Sequence, residues 1–318
     1  MIASYTQTQT LRIGHSPDPD DAFMWYPLAN FTAPDGTKLS PKIDTRGYDF
    51  VHVLEDIQSL NVRSESPDPE QQLEITAFSI HQYPYIADRY AMTACGSSMG
   101  DRYGPMIVAP PGRFKSVADL KGKRLAIPGE RTTAWLTCQL LLAEHGLSKD
   151  DIQYENVMFD EILEKVQPPA SGGSGEFDAG LIIHEGQITY QNNGLEKLVD
   201  LGTWWTESRG LPLPLGANAI HRDLLKTGEA STVCRILLDS IEYALQHRED
   251  SVAFALNYAR DMGADLADKF VGMYVNNWTL DYGERGRRAV RQLIHEGVAA
   301  GLLPALPGDG SIDFVDPA

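Results

Sequence analysis

The feature that most constrains the fold of this chain is an alternation of short apolar runs with segments of helical spacing. Residues 11–15, 48–53 and 73–78 have the length and apolar character of buried strands. Residues 21–29 and 54–63, which lie between them, have the spacing of helices. In the second of these, Leu54, Ile57 and Leu60 form an apolar stripe, whereas Asn61 is predicted to face away from it. Strands that alternate with helices indicate βα units around a largely parallel sheet. The sequence therefore predicts an α/β fold.

A second alternating block begins near Pro110 and Pro111, which end a strand predicted for residues 105–109. From residue 229 onward only helices are predicted, at 229–246, 251–262, 265–275 and 284–300, and we expect them to pack back on the first lobe. The predicted domains are 1–109 plus 216–318, which form a discontinuous first α/β domain, and an inserted second domain, 110–215. Two lobes joined by two crossings predict a hinge, with the ligand held between the lobes.

Length and charge agree with this division and exclude several partners. The 318 residues exceed the ~250 to 300 at which one hydrophobic core usually stops growing. A formal net charge of −17 repels phosphate backbones and anionic lipids, so we expect no nucleic acid and no membrane partner. The cysteines form no CxxC pair, and no signal peptide or membrane-spanning run is recognisable. A cytoplasmic protein is expected.

His184 is the first candidate for a catalytic residue. It follows the apolar sequence Gly-Leu-Ile-Ile at residues 180–183, which is typical of a strand buried on both faces. In open α/β sheets, ligands bind just beyond the carboxyl ends of such strands. An imidazole with a reference pKa of ~6.5 is partly unprotonated near neutral pH and can accept a proton. The alternative is a histidine that only caps the following helix.

Three other segments combine a strand end with a helix start. Residues 129–133, Gly-Glu-Arg-Thr-Thr, offer backbone amides and hydroxyl groups that suit a carboxylate or a phosphate, although Thr132 or Thr133 could serve only as the N-cap. Residues 14–21 contain three carboxylates, Asp18, Asp20 and Asp21, which could ligate a hard cation or only interact with the next helix. Ser79 occupies the corresponding position after the third strand, with an N-cap as its alternative.

Common catalytic motifs are absent from the sequence. Neither GxSxG, HExxH nor the dinucleotide-binding GxGxxG occurs, which disfavours a serine hydrolase, a zinc protease and a Rossmann oxidoreductase. Other histidines are expected in solvated or core roles, with His52 inside a strand, His81 and His145 on helix surfaces, and His247 and His295 in the C-terminal helices. Trp204 and Trp205 are predicted to pack in the core or at the hinge.

Several segments together resemble one known family. In chain order they are GHSP at 14–17, DAF at 21–23, VLED at 53–56, TTA at 132–134, GLIIHE at 180–185 and DLGTWW at 200–205. These are similar to sequences of the 1,4-dihydroxy-6-naphthoate synthase family, which belongs to the futalosine route to menaquinone. The resemblance runs from about residue 11 to residue 302 and is especially close over 180–223.

This resemblance implies a two-lobed fold similar to that of periplasmic solute-binding proteins, used as an enzyme. Members convert cyclic dehypoxanthinylfutalosine to 1,4-dihydroxy-6-naphthoate and release dihydroxyacetone, with neither a metal nor an organic cofactor. The general base of the family matches His184. The positions expected to bind substrate are Ser16, Asp18, Thr76, Ala77, Phe78, Ser79, Thr132 and Thr133.

The chain also departs from the pattern associated with the family. Asp18 and Asp20 stand where Cys and Asn are common, and Ala77 stands where Lys is frequent. Two carboxylates and a methyl group make the pocket less suited to an anionic substrate. Two alternatives therefore remain beside the lyase: a non-catalytic solute-binding protein for a small carboxylate, and an enzyme similar to chorismate dehydratase. In every case the expected partner is a small carboxylate, and the sequence leaves the oligomeric state open.

Overall fold

The computed structural model describes residues 9–31, 36, 38–259 and 263–318. Its strands are β1 (Gln9–His15), β2 (Tyr48–Leu54), β3 (Ile75–Ser79), β4 (Tyr90–Thr93), β5 (Ser98–Gly100), β6 (Met106–Ala109), β7 (Arg124–Ile127), β8 (Gln153–Asn156), β9 (Ala179–Ile182), β10 (Glu196–Asp200), β11 (Leu213–His221) and β12 (Phe314–Val315). Its α-helices are α1 (Pro19–Trp25), α2 (Ile57–Ser64), α3 (Tyr83–Ile86), α4 (Thr133–Glu144), α5 (Ile162–Val166), α6 (Gly186–Thr189), α7 (Leu201–Arg209), α8 (Arg222–Lys226), α9 (Ala230–Gln246), α10 (Arg248–Ala255), α11 (Ala264–Tyr274), α12 (Asn277–Leu280) and α13 (Gly283–Ala299). Residues 33–41, which contain two prolines and a glycine, are predicted from the sequence to form a loop. Parts of this loop and of the helix predicted at 251–262 lie outside the described residues.

The first sheet combines parallel strands with one antiparallel strand. Its order is β12-β4-β11-β3-β1-β2, with β5 beside β11. β1 runs parallel to β2 and β3, and β11 runs antiparallel to β3, β4 and β5. The sheet is largely parallel, as predicted, and its one exception is β11, the strand that returns from the second lobe and runs against the direction of its neighbours.

The second sheet has the order β10-β6-β9-β7-β8. β7 runs parallel to β8 and β9, whereas β6 runs antiparallel to β9 and β10. Residues 106–109 therefore belong to the second sheet, and the boundary predicted after residue 109 lies too late. The boundary predicted after residue 215 also lies too late, since β11 already begins at Leu213. Both boundaries were placed at prolines. Pro110 and Pro111 follow β6 within the second lobe, and Pro214 lies inside β11 at a β-bulge.

Two short segments connect the sheets, residues 101–105 between β5 and β6, and residues 210–212 between α7 and β11. The first segment passes very close to the start of α7. A Cβ atom on Gly202 would lie 1.8 Å from the carbonyl oxygen of Tyr103, and one on Gly104 would lie 2.8 Å from the amide nitrogen of Gly202. Since only glycine permits such an approach, these two residues fix the path of the first crossing.

The C-terminal helices pack in two places. Helices α9, α10 and α11 surround α1 and cover one face of the first sheet, as the sequence predicted. Helix α13 packs against β11 and also against α4 of the second lobe. A single buried cluster consequently spans both lobes and includes Phe78, Leu136 and Leu293. The lobes are thus joined by a continuous apolar contact as well as by the two crossings.

Helix α2 differs from its prediction at both its start and its buried face. It begins at Ile57 because the Asp56 carboxylate caps it, accepting hydrogen bonds from the backbone N–H groups of Gln58 and Ser59 at 3.0 and 3.1 Å. Leu54, expected in the apolar stripe of this helix, instead ends β2 and is exposed. Asn61, expected to face away from the core, is fully buried. Its side chain bridges the two lobes, as described below.

Candidate active site

A cleft with about 790 Å³ of open space lies between the two lobes, beyond the carboxyl ends of β1, β3 and β9. Most of the predicted site residues line it, namely Ser16, Ala77, Phe78, Ser79, Thr132, Thr133 and His184. Asp18 and Thr76 are not among the lining residues. The Thr76 side chain is buried within the sheet, where its hydroxyl donates a hydrogen bond to the carbonyl of Ala77 at 3.0 Å. The prediction that Thr76 contacts substrate is therefore corrected.

His184 lies two residues beyond β9, with a backbone φ of 51°. This left-handed conformation is uncommon for a residue that has a side chain. The side chain is 15% exposed, and Nε2 lies 3.7 Å from Oδ2 of Asp18 on the opposite lobe. The ring of Phe159 covers it at a centroid distance of 4.9 Å. Helix α6 begins with no side-chain cap, so the alternative that His184 only caps this helix is wrong.

The buried carboxylate of Asp18 contributes to the electrostatics of this imidazole. Asp18 is 3% exposed and approaches His184 across the cleft. The 3.7 Å separation is longer than a hydrogen bond, so the contact between these two side chains is electrostatic.

The side-chain amide of Gln187 ties His184 to the first lobe. In the orientation that satisfies its neighbours, the amide nitrogen donates to the carbonyl of Gly104 at 2.8 Å. The amide oxygen accepts hydrogen bonds from the backbone N–H of His184 at 3.3 Å and from the hydroxyl of Tyr274 at 2.5 Å. Gln187 is buried. A single amide therefore connects the imidazole-bearing residue, the first crossing and helix α11.

The two threonines at the start of α4 use their hydroxyl groups within the protein. The Thr132 hydroxyl donates to the carbonyl of Gly129 at 2.7 Å and accepts from the backbone N–H of Trp135 at 3.2 Å. The N-cap role that the sequence left open is thus correct for Thr132. The Thr133 hydroxyl donates to the carbonyl of Leu215 at 2.6 Å. A ligand at this helix start would consequently meet backbone amides and the positive end of the helix dipole more than these hydroxyl groups.

Ser79 is held in place by Asn61, a residue that the sequence analysis did not identify as part of the site. The backbone N–H of Ser79 donates to Oδ1 of Asn61 at 2.8 Å, and Nδ2 of Asn61 donates to the Ser79 hydroxyl at 3.0 Å. The same Nδ2 donates to the carbonyl of Arg131 at 3.1 Å, on the second lobe. Asn61 therefore fixes the end of β3 relative to the start of α4.

The three carboxylates of residues 18–21 have different surroundings. Asp21 accepts hydrogen bonds from the backbone N–H and the hydroxyl of Ser16, both at 2.8 Å. Asp18 approaches His184, and Asp20 is buried at the cleft wall. In the part of the chain that the structure describes, these residues do not form a group that could hold a metal ion. The cation-binding interpretation of this loop thus has no support from the geometry.

Lysine and arginine are absent from the described residues that line the cleft. Arg131, which the sequence places beside the threonine pair, is engaged elsewhere. Its guanidinium lies 4.1 Å from the ring centroid of Tyr85 and forms a salt bridge with Glu65 at 3.2 Å. An anionic ligand would therefore depend on backbone amides and neutral hydrogen-bond donors within the cleft.

Two mixed α/β lobes on either side of a cleft define a periplasmic-binding-protein-like fold. The alkanesulfonate-binding protein SsuA from Xanthomonas axonopodis pv. citri, solved with bound MOPS, is similar in structure with a TM-score of 0.64 and 16% identity. The match covers 94% of this chain and 96% of that chain. This likeness concerns the fold alone.

A family model described as menaquinone biosynthesis matches residues 11–298, and the chain belongs to this family. Relatives named 1,4-dihydroxy-6-naphtoate synthase are 36% identical over 299 residues in Thermus thermophilus and 33% identical over 303 residues in Streptomyces coelicolor. Each match covers 94% of this chain, and 98% and 97% of the two relatives. The crystal structure of protein AF1704 from Archaeoglobus fulgidus is 36% identical with a TM-score of 0.76, covering 94% of this chain and 100% of that chain. None of the helices in the described part of the chain has both the length and the apolar character needed to cross a membrane.

Proposed function

We propose that this protein is a lyase that converts cyclic dehypoxanthinylfutalosine to 1,4-dihydroxy-6-naphthoate and dihydroxyacetone. The relatives that share about a third of its residues are named for the naphthoate product, and they align over almost the whole chain. We place the reaction in the cytoplasm and assign it no metal and no organic cofactor. The substrate is a small carboxylate.

The observation that carries this proposal is the placement of His184. A histidine at the end of a buried strand, turned into the cleft and facing a buried carboxylate, has the surroundings of a general base. In the proposed reaction, His184 removes a proton adjacent to a developing carbonyl group. The electrons of that C–H bond enter the ring that becomes aromatic, and the bond to the sugar-derived fragment breaks.

Residues around the base would hold the substrate in one orientation. The backbone amides at the start of α4 face the cleft and offer a site for the substrate carboxylate. Ala77 contributes a small apolar wall where a cation is frequent in the resembling family, so this carboxylate depends on the helix start. Contact between the lobes at Gln187 and Tyr274 excludes water from the charged intermediate.

The direct test is incubation of the purified protein with cyclic dehypoxanthinylfutalosine, followed by detection of the naphthoate and of dihydroxyacetone. We expect both products in equal amounts. Replacement of His184 by Ala should lower the rate ~10²- to 10⁴-fold, about 3 to 5 kcal/mol, because a positioned base contributes that much. The exposed His295 provides a matched control, and His295→Ala should retain the rate of the unmodified protein.

The fold also suits a receptor, since a protein of similar fold is named an alkanesulfonate-binding protein and was solved bound to MOPS. Tight binding of the cyclic compound without any product would favour a solute-binding protein. Elimination of water from chorismate, with no reaction of the cyclic compound, would favour an enzyme similar to chorismate dehydratase. Either outcome would contradict the proposed lyase.

A further inference from the structure

Two polar side chains on one wall of the cleft have no role in the steps above. Ser98 begins β5, Asn218 lies in β11, and both line the cleft. The hydroxyl oxygen of Ser98 and Oδ1 of Asn218 are buried and find no hydrogen-bond partner among the described residues. Asn218 is only 2% exposed. Because a buried polar atom without a partner costs free energy, two such atoms on the wall of one cleft point to a ligand group that pairs with them.

The pairing of β5 with β11 places these two side chains on the same face of the sheet. Ser98 stands opposite Gly216 in the antiparallel register. Asn218 follows Gly216 by two residues, so it shares the face of Gly216. Gly216 also lines the cleft and has no side chain to separate the two. Diagonal neighbours on paired strands lie within ~7 to 8 Å, which is close enough for adjacent groups of one ligand to meet both.

Gly96 fixes the orientation of the Asn218 amide. Nδ2 of Asn218 donates a hydrogen bond to the carbonyl of Gly96 at 2.8 Å. Gly96 has a φ of 78°, and a Cβ atom there would lie 2.6 Å from this Nδ2, so only glycine leaves room for the amide. Since Nδ2 is used within the protein, the atom that remains for a ligand is Oδ1, which can only accept a hydrogen bond.

An acceptor of this kind selects the ligand group that it can pair with. A carboxylate or a carbonyl has no proton to donate to Oδ1 of Asn218, whereas a hydroxyl group donates to Oδ1 and also accepts from the Ser98 hydroxyl. Lysine and arginine are absent from the described lining of the cleft, so an anion gains nothing at this wall. The start of α4 has the opposite character, because it offers backbone donors.

We propose that Ser98 and Asn218 form a hydroxyl-binding subsite for the sugar-derived part of the substrate, an inference that rests on the lyase reaction proposed above. That part leaves as dihydroxyacetone, which carries two hydroxyl groups. One of its hydroxyl groups donates to Oδ1 of Asn218, and the same or the adjacent hydroxyl pairs with Ser98. With the carboxylate at the start of α4, these contacts orient the bond to the departing fragment relative to His184. No covalent bond forms or breaks at the two residues.

The first test measures thermal unfolding and needs no ligand. Ser98→Ala removes a buried hydroxyl that has no partner in the described part of the protein, so Tm should stay the same or rise. The hydroxyl of the neighbouring Ser97 donates to the carbonyl of Trp278 at 3.0 Å, and Ser97→Ala, the matched control, should lower Tm. A fall in Tm of Ser98→Ala as large as that of Ser97→Ala would show that Ser98 is paired within the protein and would overturn the proposal.

The second test compares two ligands in a His184→Ala background, which should bind the cyclic compound without converting it. Adding Ser98→Ala should raise the Kd of cyclic dehypoxanthinylfutalosine about 2- to 12-fold, the range for one hydrogen bond. The Kd of 1,4-dihydroxy-6-naphthoate, which lacks the three-carbon fragment, should change by less than about twofold. Asn218→Leu, which removes the acceptor at similar size, should act in the same direction, and Ser97→Ala should leave the ratio of the two Kd values unchanged.

The outcomes separate this subsite from the lyase reaction. Equal changes in both Kd values, or no change in either, would overturn the subsite even where the unmodified protein forms naphthoate. The predicted change in the ratio, without any product from the unmodified protein, would support the subsite and contradict the lyase reaction. Failure of the cyclic compound to bind would contradict both.

Discussion

Replacement of Asn61 by Ala tests whether the two lobes are held in register through the site itself. The Asn61 side chain makes three hydrogen bonds, two with Ser79 and one with the carbonyl of Arg131. Asn61 is fully buried, so water cannot replace these bonds without opening the structure. At about 0.5 to 1.5 kcal/mol for each bond, the free energy of unfolding should fall by about 1.5 to 4.5 kcal/mol.

Urea denaturation, monitored by circular dichroism, measures this decrease in the free energy of unfolding. Asn192→Ala, at an exposed position, is the control and should change the free energy of unfolding by less than about 0.5 kcal/mol. Affinity for the naphthoate product should fall together with stability, because the ends of β3 and the start of α4 lose their common anchor. A loss of stability below about 0.5 kcal/mol in Asn61→Ala would refute the reasoning.

Three further changes test other parts of the structure. Tyr274→Phe removes the hydroxyl that donates to the Gln187 amide, and kcat should fall about fivefold, since one hydrogen bond is worth about 1 kcal/mol; an unchanged kcat would show that this bond does not position the base. Burial lowers the pKa of His81 to about 4 in the folded protein, whereas the unfolded chain keeps the ordinary value of ~6.5. Between these pH values the unfolded chain binds a proton that the folded protein does not, so the free energy of unfolding decreases as the pH falls from ~6.5 toward 4. The decrease in the free energy of unfolding between pH 7 and pH 4.5, measured by urea denaturation, should be about 3 kcal/mol smaller in His81→Phe. An equal decrease in both proteins would contradict the assignment of this pH dependence to His81. Gly180→Ala places a Cβ atom 2.5 Å from Cγ2 of Ile162. The free energy of unfolding in urea should therefore fall by about 1 to 3 kcal/mol, and an unchanged value would show that α5 can shift to accommodate the methyl group.

The sequence located the part of the site that depends on local rules. His184 was predicted from an apolar run that ends at residue 183, together with the rule that ligands bind at the carboxyl ends of strands. The structure places this residue in the cleft. The start of α4 was predicted from two adjacent threonines, and Thr132 is its N-cap. Both inferences use only neighbouring residues, so they do not depend on how the lobes are arranged.

The part that the sequence could not supply depends on contacts between distant segments. Gln187 and Tyr274 are 87 positions apart, and nothing in their local sequence marks either as part of the site. Asn61 was assigned to the polar face of α2, but a second lobe covers that face and uses its amide. His81 was expected on a helix surface, yet it is 4% exposed for the same reason. Helical spacing identifies a polar residue without showing whether another lobe will bury it.

Prolines were the main source of error in the lobe boundaries. The sequence Pro-Pro-Gly at residues 110–112 was taken to separate domains, whereas it follows β6 inside the second lobe. Pro214 lies within β11, at a bulge where the pairing with β5 shifts. A proline lacks a backbone N–H donor and so marks an interruption of backbone hydrogen bonding. Such an interruption occurs at a turn within a lobe as well as at a crossing between lobes, so prolines alone do not locate a domain boundary.

The most direct test of the central claim is rescue of His184→Ala by imidazole in the presence of cyclic dehypoxanthinylfutalosine. If the ring of His184 takes the substrate proton in the cleft, this variant should form naphthoate very slowly alone and faster as imidazole is added, with rates that rise with the pKa of substituted imidazoles. Formation of naphthoate by His184→Ala at the rate of the unmodified protein, without any added base, would contradict the account.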